Sequence, residues 1–409
     1  MNILIINQPL GNRGDESAHK ALVRALLNLR EDISIRVLFI GSEETYSIQQ
    51  FAITDKRVQY INLHPFLRFS KVSEGALKKP LHKLLWRIHP FMQQIKSQYI
   101  WSDLVLCAPG GICMGGFQNW SHLQMLELAK HYHKPLAYYG RSFGPFPTDD
   151  KLQRRFKAIS YDMLHYFSFL SIRDKITEQL ADAIGVSYVS TVDTAFLDKP
   201  DIKIPYEVNM MLSGKKYMVF VPNYLLWHPA YAGRFGVESL VELYSKMIRE
   251  VWAYDVNLSI VMLPQTFGNN TMMDDIHLFR MIAEKLNDPR VIVIPDCFSS
   301  DIQQQIIKNS EFVIGARYHS IVFSINQNVP FIALSYEHKI AGLLSSLGRE
   351  DSMIDFTSTM LSEEGKEECL AQVKDLLPHI KADICTTKKA EQLAQNGFDK
   401  FVERFNLKK

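Results

Sequence analysis

Short apolar runs alternate along the chain with longer stretches whose apolar residues recur at helical spacing. A buried strand is predicted at 2–7, and the helical pattern of 16–30 follows it, with Leu22, Leu26 and Leu29 on one face. Such alternation is typical of α/β proteins with mostly parallel sheets. In the first half, further strands are predicted at 35–41, 58–63, 103–111, 135–145 and 169–174, and helices near 120–132, 151–166 and 174–184.

The pattern restarts after a polar, proline-containing passage at 197–216. Strands are then predicted at 217–223, 258–265, 290–296, 312–319 and 330–336, and helices at 237–254, 274–287, 299–309, 320–327 and 338–347. We therefore predict two Rossmann-like, doubly wound α/β domains that face a cleft, an N-terminal one over 1–198 and a C-terminal one over 199–387. A helix over 388–409 is expected to pack back on the N-terminal domain.

Composition narrows the class of function. The 46 Lys and Arg nearly balance the 44 Asp and Glu, which argues against a nucleic-acid-binding protein. Five cysteines form no CxxC pair, so reduced thiols in a cytoplasmic protein are favoured over a disulfide framework or a zinc site. No apolar stretch approaches the ~18 residues of a transmembrane helix. Neither HExxH nor GxxxxGK[ST] occurs, and we predict no bound metal.

Two loops of the first half combine glycine with polar residues at predicted strand ends. The loop GNRGDE (11–16) opens a helix, and N–H groups at a helix N-terminus favour an anion or a sugar hydroxyl. Asp15 is a candidate for capping that helix or for accepting a proton from a substrate hydroxyl. Gly110 and Gly111 end a later strand, where they suit backbone contact with a ligand or a plain turn.

Two arginines follow strands of the same half. Arg141 lies in GRSFGP (140–145), and Arg173 lies in SIRD (171–174). Asp174 is expected to cap the next helix. Each arginine either serves a ligand or forms a structural ion pair with a nearby aspartate, and the sequence leaves both interpretations open.

The second half places three basic or titratable side chains after neighbouring strands. Arg317 and His319 are two residues apart in ARYHS, so an extended chain would present them on one face. Lys339 follows the next strand in YEHK. Together they favour an anion site at the carboxyl edge of the sheet. Asp274 and Asp275 are most simply a helix N-terminus.

These motifs, taken in order, resemble the polysaccharide pyruvyl transferase family over roughly residues 1–350. GNRGDE is similar to the family's G-N-x-G-D, APGG to its glycine-rich strand end and GRSFGP to its G-x-x-x-G-P loop. SIRD matches S-x-R-D, VDTAF (192–196) resembles D-x-A-F, and ARYHS with YEHK matches R-x-H…Y-x-x-K. The chain departs from the family's common pattern at Ile112, Tyr318 and Arg141-Ser142. These departures bear on the identity of the acceptor more than on that of the donor.

The resemblance implies a fold like that of GT-B glycosyltransferases and an enzyme that needs no cofactor. Such an enzyme moves a pyruvyl group from phosphoenolpyruvate to a hydroxyl pair of a bacterial exopolysaccharide, capsule or lipid-linked precursor, forming a ketal and releasing phosphate. It implies that phosphoenolpyruvate is bound by four residues, Arg173, Arg317, His319 and Lys339. Acceptor contacts are expected from Asn12, Arg13, Asp15, Gly110, Gly111 and Arg141.

Catalytic roles follow as hypotheses. His319 would be the general acid, because imidazole delivers a proton at neutral pH. Arg317 would stabilise charge on the departing phosphate, and Asp15 would accept the proton of the attacking hydroxyl. Two other classes remain open: a GT-B-type glycosyltransferase that uses a nucleotide sugar, and a noncatalytic protein that binds a glycan or an anion.

One further segment, 68–98, is strongly basic, with seven Lys and Arg and the single acid Glu74. One interpretation is an amphipathic surface that contacts the anionic inner face of the membrane, which suits a lipid-linked acceptor. The other is a solvated helical excursion packed on the first domain.

Overall fold

A computed structural model of the protein describes residues 1–9, 12–39, 52–62, 90–111, 113–115, 118–228, 231–267, 274–295 and 298–408. Most of the basic segment 68–98 therefore lies outside the described residues, as do Gly11 and Ile112. The chain forms two compact units. Unit 1 comprises residues 1–10, 18–198 and 393–409, and unit 2 comprises 11–17 and 199–392.

Unit 1 is built on a parallel sheet of seven strands in the order β3-β2-β1-β4-β5-β6-β7. These strands are β1 (Asn2–Gln8), β2 (Ser34–Phe39), β3 (Val58–Asn62), β4 (Leu104–Cys107), β5 (Leu136–Tyr138), β6 (Phe169–Ile172) and β7 (Val189–Ser190). Both faces are covered. Ile3 and Ile5 pack with one set of apolar side chains, whereas Leu4 and Ile6 pack with the other. This follows from the alternation of side chains along a strand.

Within the described part of unit 1, five helices connect these strands: α1 (Arg13–Leu27), α2 (Pro90–Trp101), α3 (Trp120–His131), α4 (Lys151–Tyr166) and α5 (Lys175–Ile184). Polar side chains start three of them. Asn119 caps α3, Asp150 forms a capping box with Gln153 on α4, and Asp174 caps α5 as the sequence predicts. Each cap accepts a hydrogen bond from an N–H group that would otherwise have no helical partner.

Unit 2 repeats the architecture with six parallel strands in the order β10-β9-β8-β11-β12-β13. These strands are β8 (Tyr217–Val221), β9 (Ser259–Met262), β10 (Val291–Val293), β11 (Val313–Gly315), β12 (Phe331–Ser335) and β13 (Met353–Asp355). The helices of the rest of the chain are α6 (Tyr206–Leu212), α7 (Val237–Tyr254), α8 (Asp275–Leu286), α9 (Ser300–Lys308), α10 (Tyr318–Asn326), α11 (His338–Leu347), α12 (Phe356–Thr359), α13 (Glu363–Leu376) and α14 (Ile384–Arg404). The prediction of two Rossmann-like α/β domains is confirmed.

The two units are not two continuous halves of the chain, because each contains segments that are separated in sequence. Residues 11–17 follow β1 of unit 1 in sequence, yet they pack with unit 2. Helix α14 begins at Ile384, and its residues from Leu393 onward belong to unit 1. Among the described helices, none is both long enough and apolar enough to cross a membrane.

Candidate active site

The carboxyl edge of the unit 2 sheet holds Arg317 in a fixed position. β11 ends at Gly315, and Arg317 is the residue that precedes α10. Its guanidinium donates to Oδ1 of Asp275 through Nη2 and, at 3.2 Å, through Nε. Burial acts to lower the pKa of Arg317, but the charge and hydrogen bond of Asp275, together with the nearby Tyr336 and Tyr244, outweigh it, so the pKa of Arg317 is raised. The arginine therefore stays charged and is held by a carboxylate.

Asp275 has a larger part than the sequence suggests. It is fully buried, and its second carboxylate oxygen accepts the N–H groups of Gln265 at 2.9 Å and Thr266 at 3.0 Å. Capping of α8 is done by Asp274, which accepts from the N–H of Ile276. The interpretation of both aspartates as a plain helix start was therefore incomplete: Asp275 joins Arg317 to the loop that follows β9.

His319 does not share an extended face with Arg317, as the spacing alone suggested. The helix begins at Tyr318, two residues earlier than predicted, so His319 lies in the first turn of α10. Its ring is 7% exposed and stands edge-on to the ring of Tyr318, with centroids 5.0 Å apart. In a helix, residues two apart project in different directions, which corrects the extended interpretation of 317–319.

The loop after β1 lies directly against His319. A Cβ atom added to Gly14 would be 1.8 Å from Nδ1 of His319, which is well inside van der Waals contact. Glycine is thus required here by the approach of the imidazole ring. The second glycine of the GNRGDE motif and the histidine of the ARYHS motif, about 300 residues apart in sequence, form one contact.

Side-chain and backbone bonds hold this loop on unit 2. The N–H of Arg13 donates to the carbonyl of Gln265 at 2.9 Å, and Asn12 forms a β-bridge with Thr266. Oδ1 of Asn12 accepts the N–H of Gly14 at 2.6 Å. The buried guanidinium of Arg13 lies 4.6 Å from the ring centroid of Phe267. These bonds give Asn12 and Arg13 a structural part, and contact with the acceptor stays a prediction for both.

Glu16 completes the anchoring of the loop. It is fully buried; one carboxylate oxygen accepts from Arg13 at 2.8 Å, and the other accepts from the N–H and hydroxyl of Ser300 at 3.0 and 3.1 Å. Asp15, in the first turn of α1, is partly exposed instead. Glu16 is buried and Asp15 is partly exposed, so Asp15 is the carboxylate of this loop that a ligand can reach.

Lys339 lies at the start of α11, after the neighbouring strand β12. Its Nζ is 3.1 Å from Oε1 of Glu337, which also accepts the hydroxyl of Tyr336 at 3.2 Å. Burial acts to raise the pKa of Glu337, but Lys339 and these hydrogen bonds lower it overall, so the carboxylate is ionised. Burial and the Glu337 charge raise the pKa of Tyr336, and Arg317 opposes them. The structure thus brings Arg317, Tyr336, Glu337 and Lys339 into one cluster.

Both Arg317 and Lys339, the cations described above at this edge, have a carboxylate partner, so the edge is less positive than the sequence implies. Arg317 pairs with Asp275 and Lys339 with Glu337. Donor capacity nevertheless remains: Nη1 of Arg317 makes no hydrogen bond to a described residue, and Lys339 uses one of its three hydrogens on Glu337. Two helices, α10 and α11, also begin here, and their N-terminal N–H groups favour an anion.

In unit 1, the predicted glycines and Arg141 come together at the ends of β4 and β5. Gly110 forms a parallel bridge with Arg141, whose Nε donates to the carbonyl of Gly111 at 3.2 Å. Nη1 of Arg141 donates to the carbonyl of Ala108 at 2.6 Å, and the side chain is 1% exposed. Arg141 therefore binds strand-end carbonyls, and its contact with an acceptor stays a prediction.

The sequence GRSFG at 140–144 also fits the G-x-S-x-G pattern of serine hydrolases, with Ser142 in the position of the nucleophile. The structure excludes that role. Ser142 is fully buried, and its hydroxyl donates to Asp174 at 2.5 Å. No helix follows the serine directly, because α4 begins only at Lys151.

Arg173 is also in unit 1, where it forms an ion pair with Asp193 rather than with its neighbour Asp174. Both members are buried, and Oδ1 of Asp193 accepts the N–H of Ala195 at 3.0 Å. This ion pair therefore joins the SIRD motif to the VDTAF motif. Binding of phosphoenolpyruvate by Arg173 stays a prediction.

A Gly14→Ala variant tests the contact between the loop and His319. The added methyl must displace either the imidazole or the loop, which we expect to cost about 1–3 kcal/mol of unfolding free energy. Turnover should fall roughly 100-fold, since a shift near 1 Å in a reacting group has that effect. Both quantities are measured on purified protein by denaturant unfolding and a product assay.

The double variant Gly14→Ala/His319→Ala provides the control. Removing the ring removes the clash, so the double variant should be more stable than the sum of the single changes predicts. Strict additivity of the two free energies would contradict direct contact.

The sequence profile of the family described as polysaccharide pyruvyl transferase matches residues 12–338, from the loop after β1 to the start of α11. The chain is 24% identical over 396 residues to the amylovoran biosynthesis protein AmsJ of Erwinia amylovora, covering 88% of this chain and 89% of AmsJ.

Solved structures share the fold at low sequence identity. The S. aureus MnaA–UDP co-structure has a TM-score of 0.58 at 13% identity, covering 99% of this chain and 97% of that one. UDP-GlcNAc 2-epimerase from Neisseria meningitidis bound to UDP-GlcNAc has a TM-score of 0.57 at 12% identity, covering 99% of each chain. At such identity the likeness concerns the GT-B-like fold alone. Because the matched profile spans most of the chain and includes the loops described above, the protein belongs to the polysaccharide pyruvyl transferase family and is a transferase.

Proposed function

We propose that the donor is phosphoenolpyruvate and that the product is a pyruvate ketal on a sugar hydroxyl pair. The observation that carries this proposal is the grouping of Arg317, His319 and Lys339 around two helix N-termini on one sheet edge. Phosphoenolpyruvate joins a phosphate monoester, at about −1.5 to −2 near neutral pH, to a carboxylate. Arginine suits a forked anion, and lysine suits a point contact with phosphate.

The two ion pairs at the carboxyl edge of the unit 2 sheet orient Arg317 and Lys339 for binding this donor. Asp275 occupies Nε and Nη2 of Arg317 and so directs the remaining Nη1 away from itself. Glu337 holds Lys339 through one hydrogen. Bound phosphate takes the other hydrogens without breaking either pair, so little reorganisation is needed. Arg173 of unit 1 is proposed as a further ligand of the donor.

The chemistry assigns one proton to each titratable group. His319 protonates the methylene carbon of the enol, and a sugar hydroxyl forms a bond to C2 while Asp15 accepts its proton. A second hydroxyl of the sugar then attacks C2, the C2–O bond to phosphate breaks, and the departing phosphate oxygen takes the proton of that hydroxyl. Arg317 and Lys339 stabilise the departing phosphate. No cofactor or metal is part of this scheme.

We propose a bacterial exopolysaccharide or capsule precursor as the acceptor, carried on a lipid. AmsJ, by its name, serves amylovoran biosynthesis, and it aligns with this chain over nearly its whole length. The basic composition of 68–98 favours contact with an anionic membrane surface on the cytoplasmic side. The loop residues that we propose to contact this acceptor are Asn12, Arg13, Gly110, Gly111 and Arg141.

Thermal unfolding with ligands tests the donor. At about 100 times its Kd, phosphoenolpyruvate should stabilise the protein by about 2.7 kcal/mol, and UDP should not. Lys339→Gln should weaken this stabilisation. The matched control is Lys216→Gln, because Lys216 also pairs with a carboxylate in unit 2, at 3.0 Å from Asp255, but precedes β8 at the opposite edge of the sheet.

Product formation completes the test. Incubation with phosphoenolpyruvate and lipid-linked saccharides should release phosphate and add the mass of a pyruvate ketal to the saccharide. Stabilisation by UDP instead of phosphoenolpyruvate would support the glycosyltransferase alternative. Binding of a glycan without phosphate release by any acceptor would support a noncatalytic role.

A further inference from the structure

Unit 1 contains a cavity of about 180 Å³ beyond the end of β1, outside the Arg317 cluster. It lies between the last residues of β1 and the first turn of α3, and its polar lining includes Asn7, Gln8, Asn119, Ser121, His122 and Arg141. Ligands of doubly wound sheets bind at such carboxyl ends, beside the point where strand order reverses, which here is β1 between β2 and β4.

The end of β1 is distorted where it meets this cavity. The pairing of β1 with β2 shifts register between Ile5 and Gln8. Asn7 has a φ of 59°, in the left-handed region that residues other than glycine rarely adopt. Its amide donates to the carbonyl of His122 at 3.1 Å, which ties the distorted strand to α3. Such irregularities cost free energy and commonly re-aim side chains at binding sites.

Gln8 is the side chain that this distortion aims into the cavity. It is 3% exposed, and its Nε2 donates to the carbonyl of Pro9 at 3.0 Å. Its Oε1 is buried and accepts no hydrogen bond from the described residues. A buried acceptor without a donor is destabilising, because it has lost its hydrogen bonds to water and gained none in the fold. A hydroxyl of a bound molecule would remove that destabilisation.

The opposite wall is polar but neutral. Asn119 caps α3, Ser121 follows in its first turn, and His122 is buried among them. Burial, and then the nearby charge of Arg141, holds the pKa of His122 well below its usual range, so its imidazole is neutral. No carboxylate is among the described lining residues, so the cavity does not suit a cation.

Three apolar residues also line the cavity. Leu38 and Met125 line it together with Pro9. Amides, a hydroxyl, a neutral imidazole and the guanidinium of Arg141, together with these apolar groups, match a ring that carries hydroxyls at its rim and C–H groups on its faces. Phosphate or carboxylate alone would leave the apolar groups without contact.

We propose that this cavity binds one neutral pyranose ring of the acceptor glycan, with Gln8 Oε1 accepting from a ring hydroxyl. The proposal rests on the proposed function for its place in the reaction. The binding itself does not, because it is measured without the donor.

The experiment uses the full chain with the methyl pyranosides of galactose, glucose and mannose, followed by saturation-transfer NMR and titration. At least one pyranoside should bind, and Gln8→Leu should raise its Kd roughly three- to tenfold, the value of one hydrogen bond. Ser121→Ala is a second, milder variant on the opposite wall and should also weaken binding.

Gln303→Leu is the matched control. Gln303 is equally buried, its Nε2 also donates to a proline carbonyl, Pro264 at 2.6 Å, and its Oε1 also accepts no bond from a described residue. It lies in α9 of unit 2 and is not among the residues that line the cavity. It therefore reports the general effect of removing such an amide, and pyranoside binding should persist.

The outcomes separate the two proposals. Absence of pyranoside binding to the native protein, or equal binding by the native protein, Gln8→Leu and Ser121→Ala, would overturn the cavity assignment even if phosphoenolpyruvate is turned over. Binding that depends on Gln8, in a protein that phosphoenolpyruvate neither stabilises nor modifies, would support the cavity and reject the proposed donor. With an active enzyme, Gln8→Leu should raise the KM of the acceptor and leave that of phosphoenolpyruvate unchanged.

Discussion

Replacement of His319 by glutamine is expected to lower kcat by ~10²–10⁴-fold, the usual worth of a positioned general acid. Glutamine fills a similar volume and keeps a hydrogen-bonding end, but it has no proton to deliver to the enol carbon. His319 lies in the first turn of α10 against Gly14 and Tyr318, and glutamine should fit the space that its ring fills there. Steady-state assay of phosphate release measures the effect.

The control is His165→Gln, which changes an exposed histidine of α4 in unit 1. Its turnover should equal that of the native enzyme. Stabilisation by phosphoenolpyruvate should survive in His319→Gln better than turnover does, because arginine and lysine carry most of the anion binding. Turnover near the native value in His319→Gln would reject the assignment of the general acid.

Replacement of Asp275 by alanine is expected to lower the unfolding free energy by about 3–5 kcal/mol, the usual cost of removing one partner of a buried ion pair. The change leaves the guanidinium of Arg317 and the N–H groups of Gln265 and Thr266 without their acceptor. Binding of phosphoenolpyruvate should weaken as well, because Arg317 is no longer held in one orientation. Denaturant unfolding and ligand titration measure the two effects.

Asp274→Ala is the matched control for this change. It removes an adjacent aspartate and a cap of the same helix, so it should cost only about 1 kcal/mol. Asp275→Asn keeps the shape and one acceptor oxygen, and it serves if the alanine variant does not fold. Equal costs for Asp274→Ala and Asp275→Ala would contradict the part given to Asp275.

Long helices, in which apolar residues recur over several turns, could be predicted from the sequence. The limits of α4 and α7 agree with the sequence pattern, because each presents one apolar face over four or more turns. Short elements were missed: β13 has three residues, and α6 has seven within the polar passage 197–216. Too few positions repeat in them for periodicity to stand out.

The candidate site shows a similar division. Glycine and cationic side chains at strand ends identified Arg317, His319 and Lys339, because the edge of a parallel sheet is where ligands bind. Their acidic partners were not found. Asp275 follows another aspartate at a helix start, and Glu337 lies beside Lys339, so each has a simple local explanation that hides the long-range pair.

The sequence by itself determined the α/β class, the two-domain plan and the family, since each depends on local periodicity and on motifs read in order. Only the tertiary structure decided which motifs meet. Residues 11–17 belong with unit 2, Gly14 meets His319, and Arg173 pairs with Asp193. The physical reason is that each of these contacts joins loops separated along the chain, and their partners are chosen by packing and by the need to satisfy buried charges, neither of which leaves a periodic trace in the sequence.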